Sequence, residues 1–272
     1  MPPDSVYEPG VVPDPDELYL RLGEELHFDP ATGRIPEGAE MPVVDGKAHR
    51  TLGSTAFHPI EARQTQSQWH GVRPVPHRHA YFATSADIRE PSQATVNRSL
   101  RNVEALQPVV PFADVPALDA IRHIVGIKTG LGADFFNFAN ANLYWRGDDS
   151  KLGDHEDQDH RLPVAEGPLT ATVTLNQPGC TRPRLYQYTP HDTAHPILAV
   201  LLQSGSLNVL GRVANQRGKH GIPAQKRSCA RLSLNFRHVP TAKRKREASE
   251  DRGAHRRFAR LPPPPPGPID LD

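Results

Sequence analysis

The sequence predicts an α+β protein in which two N-terminal helices precede a closed or sandwiched β core. Two stretches carry apolar residues at helical spacing. Most later segments are short, alternate polar with apolar residues, and are separated by Gly or Pro. Helices followed by many short strands are typical of α+β folds built on a sandwich or barrel. A chain of 272 residues can hold one substantial domain, with or without tails.

Each predicted helix has a single apolar stripe, which indicates one buried face. The first helix should begin with Asp16 as its N-cap and end before Pro30. The second should span residues 115–128 and end at Gly130 and Gly132. The stripe residues are Leu18, Leu22 and Leu26 in the first helix and Leu118, Ile121 and Val125 in the second.

Strand signals begin at residues 41–44, where Asp45-Gly46 follows as a hairpin turn. The later predicted strands are residues 135–144, 169–175, 184–188, 197–203, 206–210 and 231–239. Residues 59–91, in contrast, are rich in Arg, Gln, His and Pro and are predicted to form a surface loop. His77 and His79 lie in this loop, where no third metal ligand stands near them.

Both ends of the chain differ in composition from the middle. Residues 1–15 hold five prolines without apolar periodicity and are predicted to form a flexible lead-in. The folded domain should cover residues 16–239, with residues 60–110 as a candidate insertion. Residues 240–272 should form a basic, proline-rich disordered tail. The basic run from Lys243 to Arg246 fits a nuclear-import signal or a phosphate-attracting patch, and equally a solvated tail.

Composition excludes several classes of protein. The formal net charge of +1 argues against a globally basic nucleic-acid binder. No apolar run approaches the roughly 20 residues of a membrane span, and the N-terminus lacks the layout of a signal peptide. Cys180 and Cys229 are the only cysteines, which predicts buried thiols in a reducing compartment rather than a disulfide scaffold. The expectation is a soluble, intracellular protein without a membrane partner.

The segment 142–159 carries the first candidate site. His155 and Asp157 are two positions apart, which in a strand places both side chains on one face. Two histidines and one carboxylate form the facial triad of non-haem Fe(II) sites, so this pair lacks one ligand. His27 and Asp29 have the same spacing, and the decision therefore depends on a third ligand. His220, 63 residues after Asp157, is the natural third ligand from an opposite wall of the β core.

The predicted strand from Arg231 to Arg237 has two different faces. Arg231, Ser233, Asn235 and Arg237 share one face, and Leu232, Leu234 and Phe236 share the other. Two arginines that point inward would be costly unless each met an anion. A dicarboxylate meets that demand, because a guanidinium group can bind a carboxylate with two parallel hydrogen bonds. The alternative is an amphipathic edge strand whose arginines face water.

Four segments, taken in order, carry a family resemblance. They are residues 136–144, which end in Asn142-Leu143-Tyr144; His155-Glu156-Asp157 after an acidic turn; His220-Gly221-Ile222-Pro223; and the strand from Arg231 to Arg237. Together they resemble the AlkB-like family of Fe(II)- and 2-oxoglutarate-dependent dioxygenases, in particular the branch that repairs alkylated bases. The resemblance covers residues 16–239 apart from residues 60–110.

The resemblance implies a double-stranded β-helix (jelly-roll) core, flanked by the N-terminal helices. The chain is expected to be a monomer. The implied Fe(II) ligands are His155, Asp157 and His220. The implied residues for the co-substrate 2-oxoglutarate are Asn142, Tyr144, Arg231, Asn235 and Arg237. Among these, Arg231 would bind the distal carboxylate and Arg237 would lie at the keto-acid end. Ser233 stands where the family has Asn, and Asn235 stands where it has Thr.

The implied reaction is oxidative demethylation of alkylated bases in DNA or RNA. It would consume O2 and 2-oxoglutarate and release succinate, CO2 and formaldehyde. A target base would have to be flipped out or already single-stranded. Gln158 and Asp159 stand where the repair branch has acidic residues that touch the base. Asp45 stands where that branch has an apolar finger, which favours a single-stranded or different substrate.

Two alternatives remain open from the sequence. One keeps the iron site and changes the substrate to 5-methylcytosine, a protein or a small molecule. The other is a non-catalytic nucleic-acid-binding module in which the basic tail binds the partner.

Overall fold

A computed structural model provides the coordinates of the chain, and it describes nine stretches of it. They are residues 4–39, 43–44, 47–48, 54–63, 72–85, 88, 109–147, 152–157 and 170–239. The chain divides into Met1–Val239 and Pro240–Asp272. The predicted tail, with Lys243 and Arg246, lies outside the described residues and remains a prediction.

Two helices precede most of the strands, as predicted. Helix α1 spans Pro15–Leu26, and helix α2 spans Pro116–Lys128. Asp16 lies in the first turn of α1, so the predicted N-cap is wrong. The cap position is Asp14, and Pro15 begins the helix because proline suits the first helical turn. The carboxylate of Glu25 accepts a hydrogen bond from the Ala117 N–H at 3.0 Å, which joins the end of α1 to the start of α2.

The strands form two main sheets and one hairpin. The larger sheet contains β1 (Val6–Glu8), β4 (His58–Arg63), β5 (Val72–Ala83), β6 (Val109–Pro111), β7 (Phe138–Tyr144), β9 (Thr170–Asn176), β12 (Ser206–Leu210) and β14 (Arg231–Arg237). The smaller sheet contains β8 (Leu152–His155), β10 (Leu185–Pro190), β11 (Leu198–Leu201) and β13 (Gly218–Ile222). The predicted hairpin joins β2 (Val43–Val44) to β3 (Lys47–Ala48).

The order of strands shows how the site is assembled. The larger sheet has the order β1-β12-β9-β14-β7-β5-β4, with β6 beside β5, and the smaller sheet has the order β11-β10-β13-β8. From β7 to β14 the chain crosses repeatedly between the two sheets, which is consistent with a jelly-roll sandwich. A short helix, α3 (Arg212–Arg217), connects β12 to β13. The described part of the protein is thus mostly β with few helices.

Strand β14 lies inside the larger sheet and not at its edge. It pairs antiparallel with β7 on one side and with β9 on the other. Leu232, Leu234 and Phe236 are fully buried in the main apolar core, together with the inward faces of α1 and α2. The opposite face of β14 lines a cavity between the two sheets. The alternative of a water-facing edge strand is therefore wrong.

Two predicted irregular regions contain strands. Residues 1–15 were expected as a flexible lead-in, but β1 pairs with β12 and α1 already begins at Pro15. Residues 59–91 were expected as a surface loop, but they contain most of β4 and all of β5, and β5 pairs with β7 from Arg78 to Ala83. Prolines and charged residues interrupt the alternation in β5, so the sequence did not indicate a strand there. Pairing with the neighbouring strands on both sides stabilises β5 where local propensity does not.

The cysteine prediction is also wrong. Cys180 and Cys229 form a disulfide, with their Cα atoms 5.8 Å apart. The pairing of Arg231 with Asn176 brings the segment after β9 next to the segment before β14, and each segment carries one cysteine. The two cysteines therefore give no support to a reducing compartment.

In the described part of the chain, every helix is too short or too polar to cross a bilayer.

The position of β14 generates a stability prediction. Leu234→Ala should lower the free energy of unfolding by about 3 kcal/mol, because it empties a fully buried position in the middle of the larger sheet. Leu20→Ala is the matched control, since Leu20 is 45% exposed on α1, and it should change stability by less than about 0.5 kcal/mol. Urea denaturation followed by circular dichroism measures both. Equal losses in the two variants would contradict the placement of β14.

Candidate active site

A cavity of about 200 Å³ lies between the two sheets, and it is lined by polar side chains from both. The alternation along β14 accounts for this, because one face of the strand is apolar and the other carries Arg231, Ser233, Asn235 and Arg237. Strands β8 and β13 supply the opposite wall. All of the residues predicted for Fe(II) and 2-oxoglutarate line this one cavity.

Two histidines and one aspartate converge at one place in the cavity. His155 ends β8 and pairs directly with His220 on β13, and their ring centres are 4.4 Å apart. Asp157 Oδ1 lies 3.5 Å from His155 Nε2 and 3.8 Å from His220 Nε2. Among the described residues these three form the one group of three or more His, Cys, Asp or Glu side chains whose ligand atoms lie within 4.8 Å of one another.

The hydrogen bonds and burial of this group favour metal ligation. His155 Nδ1 donates to the Gly153 carbonyl at 2.9 Å, so the lone pair of the neutral ring lies on Nε2, next to Asp157. Burial lowers the pKa of His220 to about 4, which keeps its ring neutral near pH 7. A neutral imidazole is the form that binds metal ions.

Asp157 and His155 shift each other toward an ion pair. Burial raises the pKa of Asp157, but the hydrogen bond from His155 and the nearby imidazoles outweigh it, so the pKa lies below its ordinary value. Burial lowers the pKa of His155, but the hydrogen bond to Asp157 and its charge outweigh it, so the pKa is raised. A divalent cation bound between the Asp157 carboxylate and the His155 imidazole would take the place of the proton in their hydrogen bond.

The three residues fit a divalent metal ion with nitrogen and oxygen ligands. Neighbouring ligands of an octahedral ion, at metal–ligand distances of about 2.1 Å, lie about 3 Å apart. The observed separations of 3.5 and 3.8 Å need only small side-chain shifts to reach that value. Two imidazoles and one carboxylate are also the donor set of the facial triad, which leaves further positions open.

The second oxygen of Asp157 is fixed by two neighbours in the larger sheet. Arg237 Nη2 donates to Oδ2 at 2.9 Å, and the Thr170 hydroxyl donates to the same oxygen at 3.2 Å. Arg237 Nε in turn donates to Thr170 Oγ1 at 3.0 Å. These contacts turn Oδ1 toward the two histidines. Arg237 therefore contacts the predicted metal ligand directly, which sequence reasoning did not anticipate.

Arg231 lies in the same cavity, with 2% of the residue exposed. Its Nη2 donates to Ser233 Oγ at 3.1 Å and to Thr174 Oγ1 at 3.3 Å, and its guanidinium carbon lies 5.2 Å from the ring centre of Tyr144. Its Nε and Nη1 have no hydrogen-bond acceptor among the described residues. Burial lowers the pKa of Arg231 to about 10, so the group remains charged near pH 7.

This arrangement fits an anion that enters the cavity. A buried guanidinium group with two unused donor nitrogens needs an acceptor, and a carboxylate can take both hydrogen bonds at once. Asn142 Oδ1 is also buried without a hydrogen-bond partner among the described residues; as an acceptor it needs a donor and does not itself bind an anion. The ring of Tyr144 also contacts the guanidinium group of Arg184, at 4.9 Å.

Other predicted residues have different surroundings. Asn235 accepts a hydrogen bond from Thr172 Oγ1 and donates to the Asn140 carbonyl, so much of its amide is used within the sheet. His27 is the C-cap of α1, does not line the cavity, and is not part of the site. Gln158 and Asp159 lie outside the described residues, and their predicted contact with a base remains a prediction.

Sequence reasoning missed several residues that line the site or hold it. His79 lines the cavity from β5, although it was predicted to lie in a surface loop. The ring of Tyr186 stacks on His220 with ring centres 6.1 Å apart. Thr170 and Asn215 bind Asp157. The alternation of Thr with apolar residues in β9 was a signal for Thr170, whereas no local pattern marks the other three.

Comparisons with known proteins add little to this geometry. No protein-family model matches the chain, and no curated protein matches it. Among solved structures, the structure of OsALKBH1 is similar, with a TM-score of 0.47 and 15% sequence identity over 87% of this chain and 99% of that chain. At this identity and TM-score the similarity assigns neither a family nor a function.

The geometry of the triad generates a metal-binding prediction. His220→Ala should weaken Mn(II) binding at least about hundredfold. Removing a residue that hydrogen-bonds a metal ligand lowers metal affinity about 10–100-fold, and removing the ligand itself should lower it more. His195→Ala is the matched control, since this histidine is exposed in the segment between β10 and β11. Isothermal titration calorimetry on the metal-free protein measures both. Equal affinities in the two variants would show that the metal binds elsewhere.

Proposed function

We propose that the chain is an Fe(II)- and 2-oxoglutarate-dependent oxygenase. One observation carries the proposal: a single cavity holds two imidazoles and a carboxylate within 4.8 Å, together with a buried arginine whose Nε and Nη1 have no acceptor among the described residues. The first group suits a divalent metal ion, and the second suits the carboxylate of a co-substrate.

We also propose that the core is a double-stranded β-helix. The strands β7 to β14 divide into two four-stranded sets, β12-β9-β14-β7 in the larger sheet and β11-β10-β13-β8 in the smaller one, and the chain crosses between the sets at every step except from β10 to β11. The two candidate histidines then come from adjacent strands of the smaller sheet, and both arginines come from a central strand of the larger sheet. This topology explains why residues so far apart in sequence face one cavity.

In this proposal Fe(II), when bound with 2-oxoglutarate and O2, supplies hydroxylation of a C–H bond with succinate and CO2 as products. Arg231 binds the distal carboxylate of 2-oxoglutarate, and the hydroxyls of Ser233 and Thr174 hold its guanidinium group in place. Arg237 and Thr170 hold Oδ2 of Asp157, which leaves Oδ1 for the metal. The apolar side of the larger sheet keeps water away from the back of the site.

We propose alkylated bases in DNA or RNA as the substrates, with a nucleic acid as the partner. Support comes from the order of the segments that resemble the AlkB-like family: the strand ending in Tyr144, the His155 and Asp157 pair, His220, and the strand from Arg231 to Arg237. Hydroxylation of an N-methyl group gives a hemiaminal that breaks down to the repaired base and formaldehyde, so this substrate class has a measurable product.

The proposed function has a direct test. The protein should form succinate and formaldehyde in equal amounts from 2-oxoglutarate and methylated single-stranded oligonucleotides in the presence of Fe(II) and ascorbate. Mass spectrometry should show an oligonucleotide whose mass has fallen by the difference between a methyl group and the hydrogen atom that replaces it. His155→Ala should abolish both products, whereas His195→Ala should retain them. Succinate without formaldehyde would point to another substrate. No succinate with methylated DNA, methylated RNA, 5-methylcytosine DNA or protein lysates would contradict an oxygenase and favour a binding module.

The role proposed for Arg231 generates a further prediction. Arg231→Lys should raise the KM for 2-oxoglutarate at least about tenfold, because an ammonium group cannot offer a carboxylate two parallel hydrogen bonds. Arg182→Lys is the control, because Arg182 is exposed and lies in the segment before β10. The Cys229 N–H donates to its backbone carbonyl, so the substitution keeps this hydrogen bond. Succinate formation at varied 2-oxoglutarate concentration measures both KM values. An unchanged KM in Arg231→Lys would rule out this arginine as the carboxylate ligand.

A further inference from the structure

Asn215 binds the backbone of Asp157 through both ends of its side-chain amide. The Asp157 N–H donates to Asn215 Oδ1 at 2.7 Å, and Asn215 Nδ2 donates to the Asp157 carbonyl at 2.8 Å. Asn215 lies in α3 with 2% of the residue exposed. The two residues are 58 positions apart in sequence, so the contact exists only in the folded protein.

This contact lies at a point where the β ladder has ended. Strand β8 ends at His155, and Asp157 follows two residues later. Within a sheet, the N–H and carbonyl groups of a residue are held by the neighbouring strand. For Asp157 the amide of Asn215 takes over both hydrogen bonds. The N–H and the carbonyl of Asp157 lie on either side of its Cα atom. Holding both fixes the direction of the Cα–Cβ bond, and therefore where the carboxylate meets His155 and His220.

Helix α3 is itself held by the N-terminal segment. The two carboxylate oxygens of Asp4 accept hydrogen bonds from the N–H groups of Val213 and Ala214, each at 2.8 Å. These N–H groups lie in the first turn of α3, where a helix has no backbone acceptors of its own. The hydroxyl of Tyr188 donates to the Ala214 carbonyl at 2.8 Å, which ties α3 to β10.

We propose that Asn215 is a positioning residue for the metal ligand Asp157, and that Asp4 holds α3 where this role requires it. The inference rests on the proposed function, because it takes Asp157 as a metal ligand. It gives Asp4, which does not line the cavity, a contribution to metal affinity through α3.

The chain contains a matched control for this arrangement. Asn137 makes the same pair of hydrogen bonds to the backbone of Val239: the Val239 N–H donates to Asn137 Oδ1 and Asn137 Nδ2 donates to the Val239 carbonyl, both at 2.8 Å. Neither residue lines the cavity. Asn137→Ala therefore removes an equivalent amide clamp without touching the triad.

The experiment compares Mn(II) affinity, thermal stability and amide hydrogen exchange in the metal-free protein. Asn215→Ala should weaken Mn(II) binding about tenfold or more, as losses of the groups that orient metal ligands do. It should also speed exchange at the Asp157 amide. Asn137→Ala should lower the melting temperature by a similar amount but leave Mn(II) affinity within about twofold. Asp4→Ala should weaken Mn(II) binding in the same direction as Asn215→Ala and to a smaller extent.

The outcomes separate this inference from the proposed function. If the wild-type protein binds no Mn(II), the proposed metal site is wrong and the positioning role falls with it. If the wild-type protein binds Mn(II) and Asn215→Ala binds it equally well, only the positioning role is overturned. Equal weakening in Asn137→Ala would also overturn it, because the effect would then follow from lost stability. If Asn215→Ala fails to fold, an unchanged Mn(II) affinity in Asp4→Ala would overturn the role of α3.

Discussion

The buried charge of Arg231 is the constraint on which the rest of the site depends. Removing a guanidinium group from water costs several kcal/mol unless an anion and hydrogen bonds compensate. Two hydroxyls and the ring of Tyr144 contact Arg231, yet no carboxylate is among the groups that shift its pKa. The surrounding strands nevertheless hold this residue at 2% exposure. Such a position is readily explained by a binding site whose anion arrives from solution.

The candidate metal ligands are held in a different way, by contacts from separate elements. The pairing of β8 with β13 alone brings His155 next to His220. Asp157 lies beyond that ladder and depends on others: Arg237 and Thr170 hold its carboxylate, and Asn215 holds its peptide. The two sheets and α3 therefore have to be in place together before the three ligand atoms converge.

The sequence predicted what depends on local pattern. The alternation in residues 231–237 correctly separated the buried leucines from the arginines, and the apolar stripe of α2 was found within one residue of its true start. It could not predict β5, because prolines and histidines interrupt its pattern and its pairing with β7 supplies the order. The disulfide depends on β9 and β14 being neighbours, and the clamp of Asn215 joins residues 58 positions apart. Neither leaves a signal in the local sequence.

The charges in the cavity bear on the proposed co-substrate. Two guanidinium groups, those of Arg231 and Arg237, face one carboxylate, that of Asp157, so the cavity is cationic even with both imidazoles neutral. A divalent metal ion would increase that excess, and like charges repel strongly where the dielectric constant is low. A neutral or cationic co-substrate would leave the excess uncompensated. The proposed 2-oxo dicarboxylate, a dianion, would offset it at both ends, with one carboxylate near the metal and the other on Arg231. For this reason binding of the metal and of the dianion should favour each other.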